Sequence, residues 1–193
     1  PALGVSYFVG VDGLGLLMVL LTAIVVPMAL LVSGKLFEQT PHPETLPVRR
    51  GEGVQRTGEG SGHSSQLYYA LILFLQAGLF GTFTALNFFH WFLFWELSLI
   101  PAFFLVRLWG GSQRGPAATQ FFVYTMVGSV AMLLAFLAIF VATGKMDFIE
   151  LAEYGRNGSL AGALSSKLGW YSLNSKPLAL IIFGGVLLGF AVK

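Results

Sequence analysis

Two residues of this sequence carry charge where charge is expensive. Glu96 is the ninth residue of an apolar stretch over 88–107, and Lys193 closes an apolar stretch over 177–193. A charge at the centre of a bilayer costs roughly 2.5–3.5 kcal/mol on insertion scales, so ionisable groups there usually face a bundle interior and mark ion pathways or proton relays. For Glu96 that reading competes with a neutral carboxyl that joins helices by a hydrogen bond. For Lys193 it competes with a flanking lysine that reaches out to the interface. Pro101 lies five residues after Glu96. It lacks an N–H, so it leaves the Leu97 carbonyl without its helical partner and predicts a kink beside the glutamate.

Further residues are candidates for a proton path. His90 lies six positions before Glu96, about 120° away around a helix at 100° per residue, so the two do not share a face. Tyr124, Thr125 and Ser129 follow one another along a fourth apolar stretch, next to Gly128. Small and hydroxyl residues in such stretches either let helices approach closely or wet a path for protons. Trp91 and Trp95 read as packing or interface anchors. Gly184, Gly185 and Gly189 are expected to loosen the last helix just before Lys193.

The elements that must hold these residues follow from composition. Hydrophobic residues make up 55% of the 193 and charged residues 10%, and mean hydropathy is +0.76. A soluble domain carries about 25% charged residues. This chain is read as an all-α, polytopic transmembrane bundle and not as a soluble enzyme or a nucleic-acid binder. Its net charge of +2 forms no basic stripe. With no cysteine, disulfides and thiolate chemistry are excluded. Five stretches approach the ~20 apolar residues that a span needs: 14–33, 67–86, 88–107, 119–142 and 177–193. The fifth stops while still apolar and no Met opens the chain, so the expectation is one transmembrane domain over 1–193, an internal piece of a longer protein with its fifth helix truncated.

The links differ in kind. The second and third stretches meet at Ala85-Leu86-Asn87, which predicts a tight hairpin. The stretch 34–66 is rich in Pro, Gly and Ser and poor in large apolar side chains, so it is expected to be a mobile polar loop, with His42 and His63 solvated. A short surface helix is expected around 148–154. Lys35, Arg49, Arg50, Arg56, Arg107 and Arg114 fall on one side of this arrangement, against Lys145, Arg156, Lys167 and Lys176 on the other. Six against four places the first side, with the loop 34–66, in the cytoplasm. No phosphate-binding glycine loop, nucleophile elbow or metal-ligand cluster occurs.

Four stretches, "VDGLGLLMVLLTA", "FFHWFLFWELSLIPAFFLVRLWGG", "AATQFFVYT" and "LLGFAVK", stand in this order. Together they resemble the antiporter-like, proton-translocating membrane subunit M (chain 4) of complex I and NDH-1, the NADH-quinone oxidoreductases. The resemblance implies a larger subunit, of which about five helices are present, with Glu96 as the family's buried glutamate and Lys193 as its buried lysine on a helix broken at membrane depth. It implies that these two serve proton translocation. It also implies no cofactor in this chain, with NADH (or ferredoxin) as donor, FMN, iron–sulfur clusters and quinone in partner subunits. The partners are then other membrane subunits and the lipid bilayer, without nucleic acid, in a bacterial inner membrane or a thylakoid. The family commonly has an acid at Asn87 and a lysine at Gln120. An alternative from the same helices is a subunit of a Mrp-type cation/proton antiporter or a membrane-bound hydrogenase, and a third reading is a structural membrane scaffold.

Overall fold

Hydrocarbon offers no water to bond backbone N–H and C=O groups, so a chain of this composition must satisfy them within helices. The computed structural model describes residues 8–38, 65–168 and 175–193. Its helices are α1 (Gly13–Glu38), α2 (Ser65–Thr84), α3 (Phe88–Leu97), α4 (Leu99–Trp109), α5 (Arg114–Thr143), α6 (Phe148–Arg156), α7 (Ser159–Leu168) and α8 (Ser175–Val192). Among the described residues extended pairing is limited to two isolated bridges, Val9 with Ala85 and Asn87 with Asp147. Four helical stretches are long and apolar enough to cross a membrane: Gly13–Gly34, Ser65–Thr84, Phe88–Trp109 (α3 and α4 together) and Arg114–Thr143. The apolar helix Lys176–Val192 is shorter. The fold is an all-α polytopic bundle, as the composition requires. Most of the polar stretch 34–66 lies outside the described residues; α1 itself runs on to Glu38.

α1 packs on α2, α2 on both α3 and α4, α4 on α5, and α5 on α8, which is the most extensive contact. One end of the bundle is closed by backbone bonds between distant segments. Gly10 N donates to Thr84 O at 2.9 Å, Phe88 N to Met146 O at 2.8 Å and Phe148 N to Leu86 O at 3.0 Å. Asp12 starts α1 at this end by accepting the Gly15 N–H at 2.6 Å, the standard capping contact. At the other end the Tyr68 ring meets Trp109, and Gly34 lies against the Tyr69 hydroxyl. Arg107 and Arg114 therefore share the end at which the Gly13–Gly34 span finishes.

Beyond α5 the chain turns at Gly144, whose φ of 70° is the left-handed conformation that favours glycine at a helix C-terminus. α6 matches the short surface helix expected there. α7 was not expected from the sequence. It holds Leu164 in a buried cluster with Ala135, Ala142 and Ile182, and Leu160 and Leu178 pack against it.

Candidate functional site

The site is built where α3 stops. Pro101 is buried within α4, and the third span is interrupted at Ser98, between α3 and α4. Breakage near a proline is expected because the ring removes a donor and crowds the preceding turn. Ser98 Oγ donates to the Trp95 carbonyl at 2.7 Å. In an unbroken helix that carbonyl would receive the N–H four residues on. Here it receives the Ser98 hydroxyl and, from the end of α8, the Lys193 ammonium.

Ring contacts set the depth of the site. Phe88 stacks on Phe136 with centroids 4.1 Å apart, and Phe103 meets Phe122 at 5.4 Å. The third span thus runs antiparallel to α5. Glu96 stands half-way between Phe88 and Phe103, so it is level with the middle of α5, near Ser129. α8 also runs antiparallel to α5, from the Ala142 end back to its middle, where a Cβ on Gly128 would lie 2.9 Å from Val192 Cβ. Lys193 follows Val192. The two charged residues are therefore at one depth, half-way along the longest span.

At that depth the glutamate and the lysine approach without pairing. Glu96 Oε1 is buried and accepts no hydrogen bond from the described residues. Glu96 and Lys193 form no ion pair; among the described residues the one ion pair is Lys145 with Glu150, at 3.1 Å. The Lys193 ammonium rests instead on Trp95, at its carbonyl and 4.2 Å from the centre of its ring. The indole is held by Trp91, stacked at 4.9 Å, and by Phe190, edge-on at 5.4 Å.

The remaining candidates separate. Thr125 and Ser129, 4% and 2% exposed, are four residues apart and share one buried face of α5. The Thr125 hydroxyl is already donated to the Phe121 carbonyl at 2.8 Å. Tyr124 is 61% exposed and turns away from that face. His90 is half-buried, with its ring edge on Phe89. The expectation that the α8 glycines loosen the helix is corrected. α8 is continuous through Val192, and Gly185 and Gly189 are the points at which α5 comes close. A Cβ on Gly189 would stand 2.5 Å from Met132 Cβ, so hydrogen is the side chain that fits.

Two features were not legible beforehand. One is the contact of Trp95 with Lys193, beyond the packing or interface anchoring that its residue type implies. The other is Asn87, which is fully buried (0% exposed). Asn87 Nδ2 donates to Asp147 Oδ1 at 2.9 Å, and its Oδ1 accepts the Phe89 N–H at 3.0 Å, which caps α3. An amide can do both; a carboxylate could not donate to Asp147.

A family model described as "NADH:quinone oxidoreductase/Mrp antiporter, TM" matches residues 85–193, which include the interrupted span, α5 and α8. The chain belongs to this family. Among its relatives are the F(420)H(2) dehydrogenase subunit M of Methanosarcina mazei, 39% identical over 140 residues covering 72% of this chain and 23% of the relative. The NADH-quinone oxidoreductase subunit M of Rhodobacter capsulatus is 32% identical over 191 residues, 99% of this chain and 31% of the relative. The subunit of the same name from Escherichia coli K12 is 35% identical over 157 residues, 77% of this chain and 26% of the relative. The chain thus spans about a quarter to a third of the length of these relatives. Apolar helices of spanning length and membership of a transmembrane family make this an integral membrane protein.

Proposed function

We propose that this chain is part of the proton-translocating, antiporter-like membrane subunit of a complex I-like quinone oxidoreductase, and that Glu96 and Lys193 move charge through it. The observation that carries the reading is Glu96 itself: a carboxylate oxygen buried half-way along a span, without a hydrogen-bond donor among the described residues, and level with a lysine that has no carboxylate partner among them either. A carboxyl kept only to join helices would be bonded, because a buried acceptor left unmade costs about 1–3 kcal/mol. An acid and an amine held close but unpaired are poised to change partners. A proton arriving at Glu96 removes its pull on Lys193, and a proton leaving restores it.

The interrupted helix supports the same reading, since irregular backbone at membrane depth is tolerated where protein or water satisfies it. The relatives' names support a place in an electron-transferring complex. Their names carry different donors, which supports a donor held by partner subunits. Those subunits would hold NADH or another reductant, FMN, iron–sulfur clusters and quinone. This chain would contribute the proton path within the membrane, in contact with lipid and other membrane subunits, in a bacterial inner membrane. The basic end, with Arg107 and Arg114, would face the cytoplasm.

The test is Glu96→Gln, which keeps size and hydrogen bonding but cannot carry charge. Proton uptake and donor-driven quinone reduction in membrane vesicles, normalised to assembled complex, should both fall. Unchanged values for both would leave Glu96 a structural role only. The family description also covers Mrp-type antiporters. That second reading predicts sodium-for-proton exchange in vesicles without any electron donor, abolished by the same substitution.

A further inference from the structure

Trp95 and Glu96 are chain neighbours at the end of α3, yet Lys193 engages only the first of them directly. Its ammonium has two separate attractions there: the Trp95 carbonyl and the Trp95 ring, 4.2 Å away. A cation within about 6 Å of an indole centre is drawn to the ring face by its quadrupole, and more strongly once water is removed. The carbonyl reaches Lys193 because the helix is interrupted at Ser98, and the ring is held in place by Trp91 and Phe190. Phe190 lies in the last turn of α8 and Lys193 directly follows that helix, so this end of the chain grips the indole by two residues at once.

We propose that Trp95 is a positioning residue that holds the Lys193 ammonium in a waiting position beside Glu96. Lys193 is itself exposed, and ring and carbonyl together give its ammonium two attractions besides the glutamate, so the cation is held without neutralising the glutamate. The lysine then has two stations one residue apart, Trp95 and the Glu96 carboxylate. The balance between them is set by the charge on Glu96. The transport role of this device rests on the function proposed above, whereas the contact itself does not.

Two measurements on the assembled complex test it separately. The first is solid-state NMR of lysine-labelled complex, with the Lys193 signals assigned by their loss in Lys193→Arg. The expected result is an upfield ring-current shift of the Lys193 ε-methylene protons that disappears in Trp95→Leu and is smaller in Trp95→Phe. An unshifted methylene in the unaltered protein overturns the proposal.

The second measurement replaces Trp95 by mono-, di- and tetrafluorotryptophan, which keep the shape and drain the ring face of electron density. Proton uptake per assembled complex should fall stepwise with fluorine count, to about one-fifth or less with the tetrafluoro ring. A flat series, in a complex where Glu96→Gln abolishes uptake, overturns the positioning role and leaves the proposed function standing. If Glu96→Gln and Lys193→Met both leave uptake intact, the proposed function fails, and the ring-current shift alone decides the contact.

Discussion

Replacing Asn87 by Asp exchanges a single NH2 group for an oxygen, and the structure assigns that exchange a large, pH-dependent effect. Asn87 is fully buried and donates to Asp147 Oδ1 at 2.9 Å. In Asn87→Asp the Phe89 cap can survive, but two carboxylate oxygens then meet at about that separation. Two unit charges 3 Å apart at an effective dielectric of 20 repel by about 5.5 kcal/mol. Taking up one proton is cheaper at neutral pH. Protonating a group of ordinary pKa ≈ 3.9 at pH 7 costs about 3 units, or roughly 4 kcal/mol at 1.36 kcal/mol per unit. The expected destabilisation is therefore about 4 kcal/mol at pH 7 and about 1.5 kcal/mol at pH 5. The sign follows from proton binding: the folded variant holds a proton that the unfolded chain releases, so stability is lost as pH rises. Asn87→Ala is the control. It removes the cap, about 1 kcal/mol, and leaves the Phe89 N–H unbonded, for a total of about 2–3 kcal/mol with little pH dependence. The assay is thermal unfolding of the detergent-solubilised protein by circular dichroism at pH 7 and pH 5. An Asn87→Asp midpoint equal to that of the unaltered protein, or lowered equally at both pH values, would refute the Asn87–Asp147 contact.

Further outcomes follow from other contacts. Gly189→Ala places a Cβ 2.5 Å from Met132 Cβ, so α8 must move off α5. About 1–3 kcal/mol of stability should be lost together with proton uptake, and adding Met132→Gly should recover part of both in the same unfolding and vesicle assays. The Lys145–Glu150 pair is exposed on both sides, at 40% and 47%, and exposed pairs contribute little. Lys145→Ala should leave the thermal midpoint unchanged at pH 7. The Glu150 hydrogen bond and charge hold the Lys145 ammonium above its ordinary value of 10.5. The small contribution of the pair is thus fully present below that value and lost only as pH rises beyond it, so a midpoint that moves with Lys145→Ala between pH 7 and 9 would contradict the assignment. A cysteine at the exposed Gly111, beside Arg107 and Arg114 in the chain, should react with a membrane-impermeant maleimide in inside-out vesicles and not in right-side-out ones; the reverse would invert the proposed orientation.

Much of the architecture was legible in the sequence because it depends on local quantities. A stretch of about 20 apolar residues must be helical and spanning whatever surrounds it, since nothing else satisfies its backbone in hydrocarbon. The same locality made Glu96 conspicuous, predicted the interruption near Pro101 and recovered the α6 surface helix. Contacts between helices were not legible in that way. These helices are apolar nearly all round, so no stripe of periodic residues says which face meets which neighbour. The Trp95 and Asn87 roles depend on partners 98 and 60 residues away. Gly185 and Gly189, which by composition resemble weak points in α8, became close-contact points because α5 happens to present Ala131, Ala135 and Met132 to them. Sequence alone marked the stretches apolar enough to read as spans, and placed Glu96 within one apolar stretch and Lys193 at the end of another, because transfer from water is a property of each segment. Tertiary structure decided that those two meet at one depth, and that the lysine leans on an indole and a carbonyl instead of the carboxylate, because register and rotation between helices are set only when side chains from distant segments pack.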